Sequence, residues 1–196
     1  MYQSVSSSAS PNFTGAGSQQ VNFLAPNDFA KIYNTLPLLS GGTNGAGTSI
    51  AIVGRSDINL SDVEAFRTIA GPSFNDPTIT YATTDPATFR ATTSKPASTS
   101  SGPEPSLPRA KINYVIGAST FTTDGVDISA AYIVDNITAP IMSLSFGLCE
   151  ADSSDGELQY HELLWQQAAS EGITVLVSSG DAGSSGCNNP NNPLLP

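Results

Sequence analysis

Apolar residues fall in short runs separated by amphipathic stretches, and the alternation is regular along most of the chain. Ile50-Ala51-Ile52-Val53-Gly54 is apolar at every position. Neither face of that run suits water, so a central parallel strand is predicted. A helix follows, with Ser61 as its cap and Glu64 at the reciprocal position of a capping box. Its apolar positions Val63, Phe66 and Ile69 recur at helical spacing, and Pro72 closes it. Residues 78–82 suit a short strand and 112–116 a longer one. Residues 124–135 suit a helix with Val126, Ala130, Ile133 and Val134 inward. A strand over 141–146 precedes a helix over 157–171, where Leu158, Leu163, Leu164 and Ala168 share one side and Gly172 is the stop signal. The last strand covers 173–178. Upstream, Asp28 suits the cap of a short helix reaching Tyr33, and the glycine-rich stretch 41–47 suits a loop.

Strands alternating with helices predict an α/β fold, a mostly parallel central sheet with helices on both faces. Ligands bind such sheets outside the carboxyl ends of the strands. Ser145-Phe146-Gly147 and Ser179-Gly180-Asp181 are therefore expected at the functional edge. Two stretches escape the pattern. Residues 1–22 are Ser- and Gly-rich and suit a flexible linker. Residues 83–108 have little apolar content and no period, and 92–108 is almost wholly Thr, Ser, Pro, Ala, Gly and Lys.

Composition narrows the partners. The 196 residues hold 17 acidic and 7 basic side chains, a formal charge of -10. Such a chain repels phosphate backbones, so no nucleic-acid partner is expected. The balance fits a secreted protein working in acid, although solubility alone also accounts for an acidic surface. No apolar run reaches the length of a membrane span, so no membrane partner is expected. The first twenty residues lack the charged and apolar regions of a signal peptide, and the Asn- and Pro-rich end closes on no element. Both ends suit cuts in a longer protein.

Asp181 lies between glycines just past a buried strand. The glycines permit a sharp turn and close approach by a ligand. A neutral Asp181 could donate to a developing oxyanion in acid, or it could bond its own backbone in a turn.

The segment 177–187, with Ser179-Gly180-Asp181-Ala182-Gly183, resembles the Ser-Gly-Asp-Ser-Gly segment of the sedolisins, the serine-carboxyl peptidases related to subtilisin. The stretch 141–150 resembles the strand of that family that lies along the peptide substrate. Pro26-Asn27-Asp28-Phe29-Ala30 resembles the start of its catalytic domain, and residues 50–66 its first strand and helix. Ala182 departs from the usual serine and leaves Asp181 in place. The resemblance implies a subtilisin-like fold, incomplete at its C-terminus, with residues 1–22 linking to an upstream prosegment and 23–196 forming the first part of a catalytic domain. It implies a secreted, acid-active, monomeric serine-type endopeptidase acting on peptides or proteins. The implied substrate-binding residues are Ser143, Leu144, Ser145, Phe146, Gly147, Ser179 and Gly180, with Asp181 in the oxyanion hole.

The family's chemistry needs a serine that attacks, a glutamate that takes its proton, an aspartate that orients the glutamate, and an oxyanion aspartate. Only the last is matched here. Gly47-Thr48-Ser49 mimics the nucleophile's motif but precedes the first strand, where a structural turn suits it better. The Glu-x-x-x-Asp pair belongs between Tyr81 and Ile112, where the pattern fails. Asp124 and Asp127 match a later segment and suit capping and surface roles. The codons for residues 94–108, read one base earlier with free third bases, can spell Glu-Ala-Ser-Leu-Asp-Val-Glu-Trp. A pair of compensating frameshifts would thus account for the odd stretch; a natural Ser/Pro-rich loop is the alternative. The chain alone is expected to be inactive. A non-catalytic peptide-binding pseudoenzyme and a secreted structural α/β domain are the other classes.

Cys149 and Cys187 follow neighbouring strands at one edge and suit a disulfide, with two buried thiols as the alternative. The one histidine, His161, suits a surface or boundary position and cannot anchor a Ser-His-Asp triad. Trp165 suits packing. No Cys/His cluster suggests a transition metal. The resemblance implies a calcium site lying beyond Pro196, so no cofactor is expected in this chain.

Overall fold

A computed structural model describes residues 13–14, 22–23, 26–70, 75–83, 109–147, 150 and 153–180. They fall into two compact units. The first draws on Met1–Gly47, Asn59–Asp76 and Ser100–Ala110; the second on Thr48–Ile58, Pro77–Thr99 and Lys111–Pro196.

The first unit holds a short antiparallel pair, β1 (Phe13–Thr14) with β2 (Asn22–Phe23), inside and at the border of the stretch expected to be a linker. Helices α1 (Pro26–Ile32), α2 (Leu36–Ser40) and α3 (Leu60–Ala70) follow. Asp28 is buried in the first turn of α1, not ahead of it as the cap. The start of α3 also differs from expectation. Asn59, not Ser61, supplies the capping oxygen: its Oδ1 accepts from the Ser61 amide at 3.1 Å and from the Ser61 hydroxyl at 2.9 Å. Arg67 is buried on α3 and donates to Asp76 Oδ1 at 2.6 Å and to the Asn75 carbonyl at 2.8 Å.

The second unit is built on a parallel sheet of five strands. They are β3 (Ser49–Gly54), β4 (Thr78–Tyr81), β5 (Lys111–Ile116), β6 (Ile141–Leu144) and β7 (Thr174–Val177), in spatial order β4-β5-β3-β6-β7. All four neighbouring pairs are parallel. The register sets Ala51 beside Asn113 and Met142, and Val53 beside Val115. Side chains alternate between faces along a strand. Ala51, Val53, Val115, Met142 and Leu144 therefore share one face, where they form a core with Val126, Ala130, Ile133 and Val134 of α4 (Gly125–Asp135) and Leu164 and Ala168 of α5 (Asp155–Ser170). Fully burying each large member stabilises the fold by about 1.5–3 kcal/mol. Ile50, Ile52, Ile112, Tyr114 and Ile116 alternate onto the other face and are buried too. That double burial is why the β3 run is apolar throughout.

Asp124 caps α4, accepting from the Val126 amide at 2.9 Å, and Ser154 caps α5 through the Glu157 amide at 3.2 Å. Two apolar positions expected inward on α5 are not: Leu158 is 39% and Leu163 59% exposed. Leu164 and Ala168, four residues apart, are the buried positions of α5, with Trp165 packed beside them, and Leu163 sits a full residue step around the helix from Leu164. Residues 84–108 lie outside the described part, so the odd Ser/Pro-rich stretch receives no structural account.

Candidate functional site

The carboxyl ends of β3, β6 and β7 bring together the segments that the sequence marked. β3 stops at Gly54, whose carbonyl accepts the buried Ser129 hydroxyl of α4 at 2.7 Å. A Cβ on Gly54 would meet the Tyr114 ring at 2.6 Å, so this strand end is pinned on two sides. Arg55 leaves from there. Its Nε and Nη2 donate to Asp124 Oδ1 and Oδ2 at 2.9 and 2.7 Å, a two-pronged pair. Its guanidinium stands 5.3 Å from the centre of the Phe146 ring.

β6 and β7 stay tied to their ends, because the Ser178 amide donates to the Leu144 carbonyl at 3.0 Å. Beyond that bond both chains leave the sheet from neighbouring positions. Ser145 and Gly147 are exposed and Phe146 is partly buried. Ser178, Ser179 and Gly180 are exposed, and Gly180 takes φ 78°, a left-handed turn that glycine adopts without strain. Among the described residues, the backbone of 145–147 makes no hydrogen bond. Ser143 and Leu144 differ: both are buried within β6, with Ser143 paired to Ile52 on one side and Leu176 on the other. The strand expected to run to Phe146 thus ends at Leu144, and residues 145–147 leave their backbone unpaired among the described residues. Asp181, Cys149 and Cys187 lie outside the described residues.

Two tyrosines line the same edge. Tyr81 donates to Asp57 Oδ2 at 2.8 Å and Tyr114 to the Ser56 carbonyl at 3.3 Å. Burial, with Asp57 adding to it, pushes the Tyr114 phenol up to about 12, so it serves as a donor and not as an acid. Asp124 caps its helix as expected and also holds Arg55, a link across 69 residues that no local pattern announces. Asp127 was expected to have a surface role. Instead it faces His161, with Asp127 Oδ1 and His161 Nε2 3.2 Å apart, and His161 is half-buried at this boundary. Burial raises the Asp127 carboxyl above its ordinary value; Asp124 and Glu157 push the same way and His161 opposes them. Trp165 packs against the core, as expected. Among the described residues, no group of three or more His, Cys, Asp or Glu side chains could hold a metal ion. None of the described helices is long and apolar enough to cross a membrane.

No protein-family model matches the chain. A segment of 62 residues, 31% of the chain, is 44% identical to sedolisin from Pseudomonas sp. (strain 101), of which it covers 10%. The solved structure of Pseudomonas sedolisin, a serine-carboxyl proteinase complexed with two molecules of pseudo-iodotyrostatin, is similar over 86% of the chain at a TM-score of 0.59 and 23% identity. The chain spans 46% of that structure's length. The parallel sheet, its crossover helices and the two likenesses together establish a sedolisin-like relationship on a subtilisin-like α/β fold.

Proposed function

We propose that the chain is the peptide-holding part of a secreted, acid-active, serine-type endopeptidase of the serine-carboxyl class, and that these 196 residues by themselves bind an extended peptide without cleaving it. One observation carries the reading. Ser145-Phe146-Gly147 leaves β6 with its backbone unpaired among the described residues, directly beside the exit of β7 that leads to Asp181. An extended peptide could lie along that free backbone, its main chain bonded to it and its side chains alternating away. In the reaction of this class a serine attacks the scissile carbonyl, a glutamate accepts the serine's proton, and an aspartate orients the glutamate. Asp181, protonated in acid, would donate to the oxyanion that forms. Glutamate suits acid as a base, where histidine is charged.

Within these residues the attacking serine has no counterpart, and the stretch that would carry Glu-x-x-x-Asp is the Ser/Pro-rich one. The chain works as a monomer on peptides or unfolded proteins and takes no cofactor of its own. Casein digestion by the purified chain at about pH 4, where such chemistry runs, tests the reading. The expected result is no new fragment, while a casein peptide added separately binds in a saturable manner. Sustained turnover would refute it.

A further inference from the structure

We infer that Arg55 is a positioning residue for the peptide-binding segment 145–147, acting through the ring of Phe146. The inference rests on the proposed role of that segment. Arg55 is fixed at both ends. The residue springs from Gly54, which is held by the Ser129 hydroxyl at 2.7 Å and crowded by the Tyr114 ring. Its planar fork then meets Asp124 at 2.9 and 2.7 Å, so the guanidinium has a set plane as well as a set place. Asp124 is fixed in turn, because the same Oδ1 accepts the Val126 amide as the cap of α4.

The guanidinium so held lies over Phe146, 5.3 Å from the ring centre. Phe146 also packs against the core cluster. The ring is thus gripped by the core and by the cation. Its two neighbours have no such grip: Ser145 and Gly147 are exposed and their backbone is unpaired among the described residues. The order of the segment therefore depends on one ring, which the core and Arg55 hold between them. An exposed ion pair adds little to overall stability. Holding a binding segment in its bound shape, by contrast, removes an ordering cost from association. Arg55 should thus act on peptide affinity far more than on folding.

A fluorescein-labelled casein peptide, titrated by anisotropy against the intact chain and its variants, tests this. Arg55→Ala is expected to weaken binding roughly two- to fivefold through the lost cation–ring contact. Its thermal midpoint should stay within about two degrees of the parent, as for a small stability change. Arg55→Lys keeps the charge but not the fork, and should recover only part of the affinity. In a Phe146→Ala background, Arg55→Ala should add almost nothing, because the two residues act as one unit. If Arg55→Ala binds like the parent, or weakens binding equally with and without Phe146, the inference fails while the role of the segment stands. If the unaltered chain binds no such peptide, the proposed role fails and the inference falls with it.

Discussion

His161 on α5 stands 3.2 Å from Asp127 on α4 through Nε2, while its Nδ1 lies 3.1 Å from the Glu157 carbonyl. With Asp127 ionised, both ring nitrogens face oxygens that only accept. Only the doubly protonated ring can donate to both; a neutral ring leaves one contact unsatisfied. Tyr160 donates to the Asp127 backbone carbonyl at 3.1 Å and completes the clasp between the helices.

That clasp sets the sign of a pH effect. Burial first, then Asp124 and Glu157, raises the Asp127 carboxyl above 3.8, against the opposing pull of His161. A group raised in the folded state adds stability that is full below its unfolded value and is lost as pH rises through the folded one. Asp127→Asn should therefore match the parent at and below about pH 3.8 and gain on it as pH rises through the folded carboxyl's raised value, with a constant difference above that. The effect is discounted because the site is partly solvated, so a thermal-midpoint difference of roughly two degrees is expected. Thermal melts across that range check it; parallel curves would contradict it.

Ile137 ends α4 in the left-handed region, at φ 48°, with 58% of its surface exposed. The Thr138 amide still closes the turn on the Ile133 carbonyl at 3.1 Å. A β-branched side chain is strained there, and little burial is at stake. Ile137→Gly should raise the unfolding free energy by about 0.5–1 kcal/mol after the glycine's own entropy is counted. Urea denaturation is the measurement.

Gly117 and Gly125 approach each other at the start of α4, and a Cβ on Gly125 would strike the Gly117 carbonyl oxygen. Backbone cannot swing aside as a side chain can. Gly125→Ala should cost on the order of 3 kcal/mol or more. Gly156→Ala serves as the contrast: nothing lies within 4 Å of its added Cβ, and α5 should gain up to about 1 kcal/mol. The two denaturation midpoints should move in opposite directions.

Ser129→Ala removes the hydroxyl that satisfies the Gly54 carbonyl inside the core. The orphaned carbonyl should cost about 1–2 kcal/mol. Urea denaturation, with hydrogen exchange at the end of β3, would report both the loss and its location.

The sheet was legible because its signal is local. Ile50 to Gly54 show by composition alone that both faces are buried, and Asp124 lies one residue before its helix. The errors came where tertiary contacts overrule spacing. Phe146 looks like strand continuation, but the chain leaves the ladder after Leu144 and the ring settles under Arg55. Leu163 has helical spacing, but Leu164, Trp165 and Ala168 are the α5 residues that meet the core. Ser61 has the residue type of a cap, yet Asn59 reaches the amides first. At the candidate site, residues 145–147 and 178–180 were findable from chain order and the rule for parallel sheets. The Arg55–Asp124 fork and the His161–Asp127 clasp join residues far apart in sequence, so no periodicity could announce them.

The proposed role is to hold an extended peptide at the ends of β6 and β7 without cutting it. A quenched fluorogenic peptide of casein sequence, mixed with the purified chain at about pH 4, reports binding by anisotropy and cleavage by dequenching in one sample. Saturable binding that Arg55→Ala weakens is expected, with no rise in fluorescence over the uncatalysed rate. Dequenching that scales with the amount of chain, or a peptide that does not bind, would contradict it.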